Sequence, residues 1–269
     1  MNLTIDNKTK QEAFVAIFQL LKNWSSHIIM NFEPSKLYIQ SMDKSHVCLA
    51  DITIHHSWFS TYQCISTNKI SVDTTHFAIL MNYGLKHGTI ELIYDDSDKL
   101  FVNFLNNDNN LNIDNVKGKK KDNKTTYEHF FELSLIDADE DGLEIPTVDY
   151  DVEFIIDSKK FIDVLSELNT FGQDIYINCT EDLVELNSSG DAAKLKVNIP
   201  TSDLDEFSII EGGKTTVSFS LMHLYKMCCS LKLGENINIS ISAEYPMELK
   251  YDLGDSSSVS FYIAPKIEG

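Results

Sequence analysis

One pattern of apolar residues occurs twice in this chain. Phe14, Ile17, Phe18 and Leu21 stand at i, i+3, i+4 and i+7, and Phe161, Val164, Leu165 and Leu168 repeat that spacing 147 residues later. Such spacing puts a single apolar stripe along a helix. A second pair, Phe77, Leu80, Met81 and Gly84 against Leu221, Leu224, Tyr225 and Cys228, is offset by 144 residues. Two separate stripes at nearly one offset predict a duplicated unit with two helices in each copy. A length of 269 residues leaves room for two such units, each with its own core.

Between the helices the apolar period shortens to two. Lys36–Gln40, Val47–Ile54, Thr89–Tyr94, Leu100–Leu105, Ile175–Cys179, Lys194–Ile199, Asn236–Ser242 and Val259–Ile263 all read as strands. Each half runs helix, strands, helix, strands, which is not the strict alternation of a doubly wound parallel sheet. The expected class is α+β, with antiparallel sheets carrying helices on one face. Asp137–Gly142 is acidic and Leu143-Glu144-Ile145-Pro146 follows it, the composition of a solvated connector. This divides the chain into an N-terminal domain at 1–136, a connector at 137–150 and a C-terminal domain at 151–269. Asn106–Thr126 is almost wholly Asn, Asp and Lys, and reads as a flexible hairpin tip rather than a phosphate-binding patch.

Composition narrows the function. All 22 basic side chains are lysine, so no arginine finger and no bidentate guanidinium clamp is available. A net charge of -19 argues against a surface that coats nucleic acid, since that affinity comes from neutralising phosphates. Any DNA contact must be local, and the four helix segments, mildly basic in a strongly acidic chain, are where it is expected. Five cysteines, odd in number and without metal-ligand spacing, read as reduced thiols of an intracellular protein. Residues 1–10 lack the apolar core of a signal peptide, and no apolar run approaches the roughly 20 residues that span a bilayer, so no membrane partner is expected.

No reaction is legible. Asp43, His46, Asp51, His55 and His56 are the densest His/carboxylate cluster, but His55 and His56 point to opposite faces of a strand, and no HExxH spacing exists. A metal-dependent hydrolase is retained only as an alternative. Glu211-Gly212-Gly213-Lys214 lacks the spacing of a phosphate loop. No catalytic residue, metal or cofactor is assigned. Two segments look unlike routine surface: Gln40–Val47, with Met42 and Val47 beside polar turn residues, and the closing Phe261–Ile267. Met, Tyr, Ile and Pro together favour a groove for a partner's aromatic side chains.

At these residues the chain resembles the eukaryotic-type DNA sliding clamp, the proliferating cell nuclear antigen family. Gln40–Val47 is similar to the family's central loop, Leu143–Pro146 to its connector, and Phe261–Ile267 to its C-terminal segment. The similarity extends with gaps over essentially the whole chain, including Phe59-Ser60-Thr61-Tyr62, Phe161 and Pro246. The resemblance implies a two-domain clamp fold, with sheets outside and helices lining a homotrimeric ring. It implies a non-enzymatic role in DNA replication and repair. Such a ring encircles double-stranded DNA without reading its sequence, and tethers a DNA polymerase, a clamp loader, and a ligase or nuclease bearing short aromatic docking motifs. The implied docking residues are Met42, His46, Val47, Leu143, Ile145, Pro146, Pro246, Tyr262, Ile263, Ala264 and Pro265. The implied subunit-interface strands carry Phe130, Phe131, Leu133 and Leu135 on one side and Leu183, Glu185 and Asn187 on the other. Lys10, Lys22, Lys86, Lys159, Lys160 and Lys226 would face DNA.

The chain departs from the family in its bore, where Ile79, Asp163, Ser166, Met222 and Cys229 stand at positions that are basic in the family. Glu181 replaces the lysine used for ubiquitin attachment. The departures favour, as an alternative, a clamp-fold scaffold or a subunit of a checkpoint-type heteromeric ring. The expected location is the nucleus, or a cytoplasmic site of viral replication.

Overall fold

The computed structural model describes residues 1–106, 127–138 and 142–266. Most of the Asn/Lys-rich stretch and the middle of the acidic run therefore lie outside the described residues. Contacts divide the chain into two compact units, Met1–Ile39 with Thr53–Glu140 and Gly254–Ser257, and Gln40–Ile52 with Asp141–Leu253 and Ser258–Gly269.

The chain passes through one series of elements twice. The first pass is β1 (Asn2–Ile5), α1 (Lys8–Leu21), β2 (His27–Phe32), β3 (Lys36–Met42), β4 (Cys48–His55), β5 (Thr61–Gln63), β6 (Asn68–Asp73), α2 (Thr74–Gly84), β7 (Thr89–Ile93), β8 (Lys99–Leu105) and β9 (His129–Ser134). The second is β10 (Val152–Asp157), α3 (Ser158–Phe171), β11 (Asp174–Cys179), β12 (Leu183–Ser189), β13 (Lys194–Pro200), β14 (Glu206–Ile209), β15 (Thr215–Ser220), α4 (Leu221–Cys228), β16 (Asn236–Ile241), β17 (Met247–Gly254) and β18 (Ser257–Ile263). Strand order repeats as well: β5-β1-β7-β8-β9 is matched by β14-β10-β16-β17-β18, and β4-β3-β2-β6 by β13-β12-β11-β15. The duplication read from two apolar stripes is thus a duplication of topology, built on antiparallel pairs such as β1–β7 and β10–β16.

Each stripe is buried as its period requires. Phe14, Phe18 and Leu21 of α1 are fully buried, and α1 meets α2 through edge-to-face rings, Phe18 to Phe77 at 4.6 Å. Phe161, Leu165 and Leu168 of α3 and Leu221 and Leu224 of α4 do the same in the second unit. Gly84 closes α2 so tightly on β8 that a Cβ would lie 2.8 Å from the Phe104 ring. Asn7, Asp73 and Asp157 cap the first three helices, each accepting a hydrogen bond from the backbone N–H three residues on.

At the α2–β7 turn His87 is buried, stacked on Phe104, with its Nε2 3.0 Å from Nδ1 of His129 on β9. Burial lowers its affinity for a proton, and His129 and Lys86 lower it further. The unfolded chain therefore takes up this proton at a higher pH than the folded chain. Stability from this group is full above the usual imidazole range and falls as pH drops through it. Urea unfolding of wild-type protein should show a lower midpoint at pH 5.5 than at pH 7.5, and His87→Gln should shrink that difference.

Candidate functional site

The segment between β3 and β4 is shaped by a carboxylate. Asp43 Oδ1 accepts hydrogen bonds from the backbone N–H of Val47 (2.8 Å) and Cys48 (2.7 Å), and Oδ2 accepts from Ser45 N at 3.0 Å and from the Ser45 hydroxyl. Burial by itself would raise this carboxyl's pKa, but the four donors outweigh it and hold the group ionised. The same loop places His46 in the left-handed region, at φ 56°. Asp51, His55 and His56 lie further along β4 and just past it. Among the described residues no three His, Cys, Asp or Glu side chains converge as metal ligands would.

Asp43 thereby turns Met42, His46 and Val47 toward a groove of about 290 Å³ in the second unit. Leu143, Ile145 and Pro146 form another wall, Pro246 a third, and Tyr262 and Ala264 the floor. Ala264 N donates to Val47 O at 3.0 Å, which locks the chain end to the loop. Two further sequence-predicted residues stay out of the lining. Ile263 is fully buried because alternation along β18 turns it away from Tyr262, and Pro265 lies past the strand.

Other groove residues escaped the sequence reading. Tyr150, Tyr245, Val148, Leu49, Cys48 and Glu144 also line it, and Leu143 and Tyr245 are exposed. Gln40 lines nothing, yet its amide holds the connector: Nε2 donates to Leu143 O at 2.9 Å and Oε1 accepts from Leu143 N at 2.6 Å. The signal for it was present, since Gln40 opens the segment already singled out, but only the fold puts Leu143 within its reach. Tyr262 OH donates to Glu248 at 2.9 Å, and burial next to that carboxylate raises the phenol's pKa. Burial likewise pushes Tyr150 up to about 12 and Cys48 up to about 12. Apart from Glu144 and His46, the lining is therefore uncharged and mostly apolar.

The predicted interface strands need a correction. Phe130, Phe131 and Leu133 lie on β9, an edge strand among the described residues, and Leu135 just follows it. Leu183, Glu185 and Asn187 lie on β12, which is paired on both sides, with β11 and with β13. Its backbone groups are already used. Glu185 is also satisfied internally, by Lys196, Asn187 and Asn178, which hold its carboxyl down to about 2. The end strands of that sheet among the described residues are β13 and β15, and on β13 Leu195, Val197 and Ile199 are only half-buried.

The six lysines differ in what they can offer. Lys10 Nζ bonds Asp255 (2.8 Å) and the Trp58 carbonyl (2.8 Å), a partly exposed ion pair that reduces the free charge at this position. Lys159 pairs with Asp163 at 3.1 Å, Lys22 donates to Gln19, and Lys86 lies over the Tyr83 ring. Lys160 and Lys226 are exposed on α3 and α4. Ile79 and Tyr83 on α2 and Met222 on α4 are about half exposed. No described helix is long and apolar enough to cross a membrane.

Comparisons with known proteins agree along the whole chain. Residues 6–142 match the family model for the N-terminal domain of proliferating cell nuclear antigen, and residues 144–266 the model for its C-terminal domain. Proliferating cell nuclear antigen 2 of Plasmodium falciparum is 25% identical over 261 residues, covering 94% of this chain and 95% of that protein. The crystal structure of the antigen from Thermococcus kodakaraensis superposes with a TM-score of 0.83 at 19% identity, over 98% of this chain and 99% of that one. A PCNA2–PCNA3 complex from Sulfolobus tokodaii matches at 0.83 and 20% identity over 100% of both chains. The antigen of Entamoeba histolytica matches at 0.82 and 20% identity, over 99% of this chain and 98% of that one.

For the groove, Gln40→Ala should free the connector without touching the walls. Amide exchange at Leu143 should quicken by roughly tenfold, the loss of one protecting bond, while the β16 amides keep their rates.

Proposed function

The chain belongs to the proliferating cell nuclear antigen family, and from that premise we propose that it is a non-enzymatic sliding clamp, a homotrimeric ring that encircles duplex DNA and tethers replication and repair proteins. The observation that carries this reading is the pair of free edges left by the duplication. By the repeat, β4 corresponds to β13 and β18 to β9. In the second unit the Cys48–Ile52 part of β4 neighbours β18. The same pairing applied between copies sets β9 of one chain beside β13 of the next. Such a contact uses different patches on the two partners, so it propagates head to tail and ends only by closing into a ring. It would also cover the half-exposed Phe131, Leu133, Leu195, Val197 and Ile199 and remove two aggregation-prone edges.

A ring reconciles a DNA partner with a net charge of -19. Threaded DNA is retained by topology, so only a weak, mobile attraction to lysines such as Lys22, Lys160 and Lys226 is needed. Partners dock in the groove, where a short motif with a glutamine, an aliphatic residue and two aromatics would fill the apolar walls. The deciding experiment is retention: protein loaded on nicked circular DNA should stay, and protein on linear DNA should slide off. Equal retention on both would refute encirclement.

A second reading is favoured by the internal pairing of Lys10 and by the apolar Ile79, Tyr83 and Met222 on helix surfaces. It is a scaffold, or a heteromeric ring subunit, that does not encircle DNA as a homotrimer. Native mass separates the two: the homotrimer requires about three times 30.6 kDa, and Val197→Asp on β13 should reduce that to one chain. Ile145→Ala and Tyr262→Ala should each weaken an aromatic docking peptide by roughly 30-fold, about 2 kcal/mol, and leave the mass unchanged.

A further inference from the structure

The loop that supplies His46 and Val47 to the groove is held from α4 by a side chain that lines no part of the groove. His223 sits in the first turn of α4, with Nε2 3.2 Å from Ser45 Oγ and Nδ1 2.9 Å from Ser220 Oγ. Ser45 Oγ also bonds Asp43 Oδ2, and the same carboxylate oxygen lies 3.8 Å from His223 Nε2. All four residues belong to the second unit.

Proton counting gives this chain a direction. The Asp43 carboxylate has no proton to offer, so the single hydroxyl proton of Ser45 goes to it. Ser45 Oγ can then only accept from His223, which places the imidazole hydrogen on Nε2. In the neutral ring Nδ1 is left bare, and it accepts from the Ser220 hydroxyl. Each bond in such a chain polarises the next.

Ser220 marks the chain as more than incidental packing. It is the N-cap residue of α4, yet its side chain makes no capping bond, unlike Asn7, Asp73 and Asp157 on the other three helices. Its hydroxyl is turned to the imidazole instead. The loop it supports needs support, because His46 at φ 56° occupies a conformation that persists only where its neighbours over-determine it.

We propose that His223 is a positioning residue of the docking groove: the chain Ser220–His223–Ser45–Asp43 fixes the loop, so that His46 and Val47 stand in place before a partner arrives. This rests on the docking role proposed above, and two readouts keep the two ideas separable. The first needs no partner. In the full-length protein, His223→Leu should speed amide exchange at Val47 and Cys48 by roughly tenfold, and His223→Gln, which keeps a donor, should stay within about threefold of wild type. Ser45→Ala should match His223→Leu, and the double variant should add nothing, the signature of one shared chain.

The second readout is affinity for a synthetic peptide carrying a glutamine, an aliphatic residue and two aromatics. His223→Leu should weaken it roughly tenfold, through preorganisation alone, and His223→Gln should restore it. Unchanged exchange in His223→Leu would overturn the proposal, as would faster exchange with undiminished peptide affinity, or additive effects of the two substitutions. Should wild-type protein fail to bind the peptide, the docking role falls, while exchange still decides whether His223 holds the loop. If His223→Leu does not fold, Ser45→Ala carries both measurements.

Discussion

Burial of one side of a helix pair is the constraint on which everything else in this molecule depends. In each unit two helices meet along an apolar stripe, α1 on α2 and α3 on α4, and the buried stripe residues are the ones whose spacing repeats in the sequence. On α3 and α4 the burial is one-sided and leaves the other face to water, whereas α1 is buried nearly all round. The sheets that complete each unit must then end somewhere. By the repeat β9 corresponds to β18 and β13 to β4, and β9 and β13 are end strands among the described residues. That mismatch is what the proposed ring would resolve.

The groove depends on a different kind of interaction. Its walls are mostly apolar, but the β3–β4 loop and the connector that carry part of them are irregular backbone, whose N–H and C=O groups need partners. Asp43 satisfies four donors of its own loop and its neighbouring strand, and Gln40 satisfies both backbone groups of Leu143. Polar side chains beside the groove therefore hold apolar side chains within it. A partner docking as proposed would meet a surface already ordered, which lowers the cost of binding.

Electrostatics set the molecule's limits. Arginine is absent, and part of the lysine on the described helices is paired to nearby carboxylates, as Lys10 is to Asp255 and Lys159 to Asp163. Exposed pairs of this kind add little stability, but they do remove free charge from the helices. Weak attraction would suit the proposed clamp, because each strong phosphate contact would act as a brake on sliding.

The sequence alone determined the duplication, the four helices and the antiparallel α+β class, while the groove residues came from resemblance to the family. Period-3.6 and period-2 patterns report which face of an element is buried, and that information is local. It did not reveal that β12 is interior and β13 is an edge, that Lys10 is paired with Asp255, that Ile263 turns away from the groove, or that Gln40, Tyr245 and His223 belong to the site. Alternation looks the same in a central strand as at an edge, and a lysine's freedom depends on a carboxylate 245 positions away. Those facts concern which elements become neighbours, and only the tertiary structure decides that.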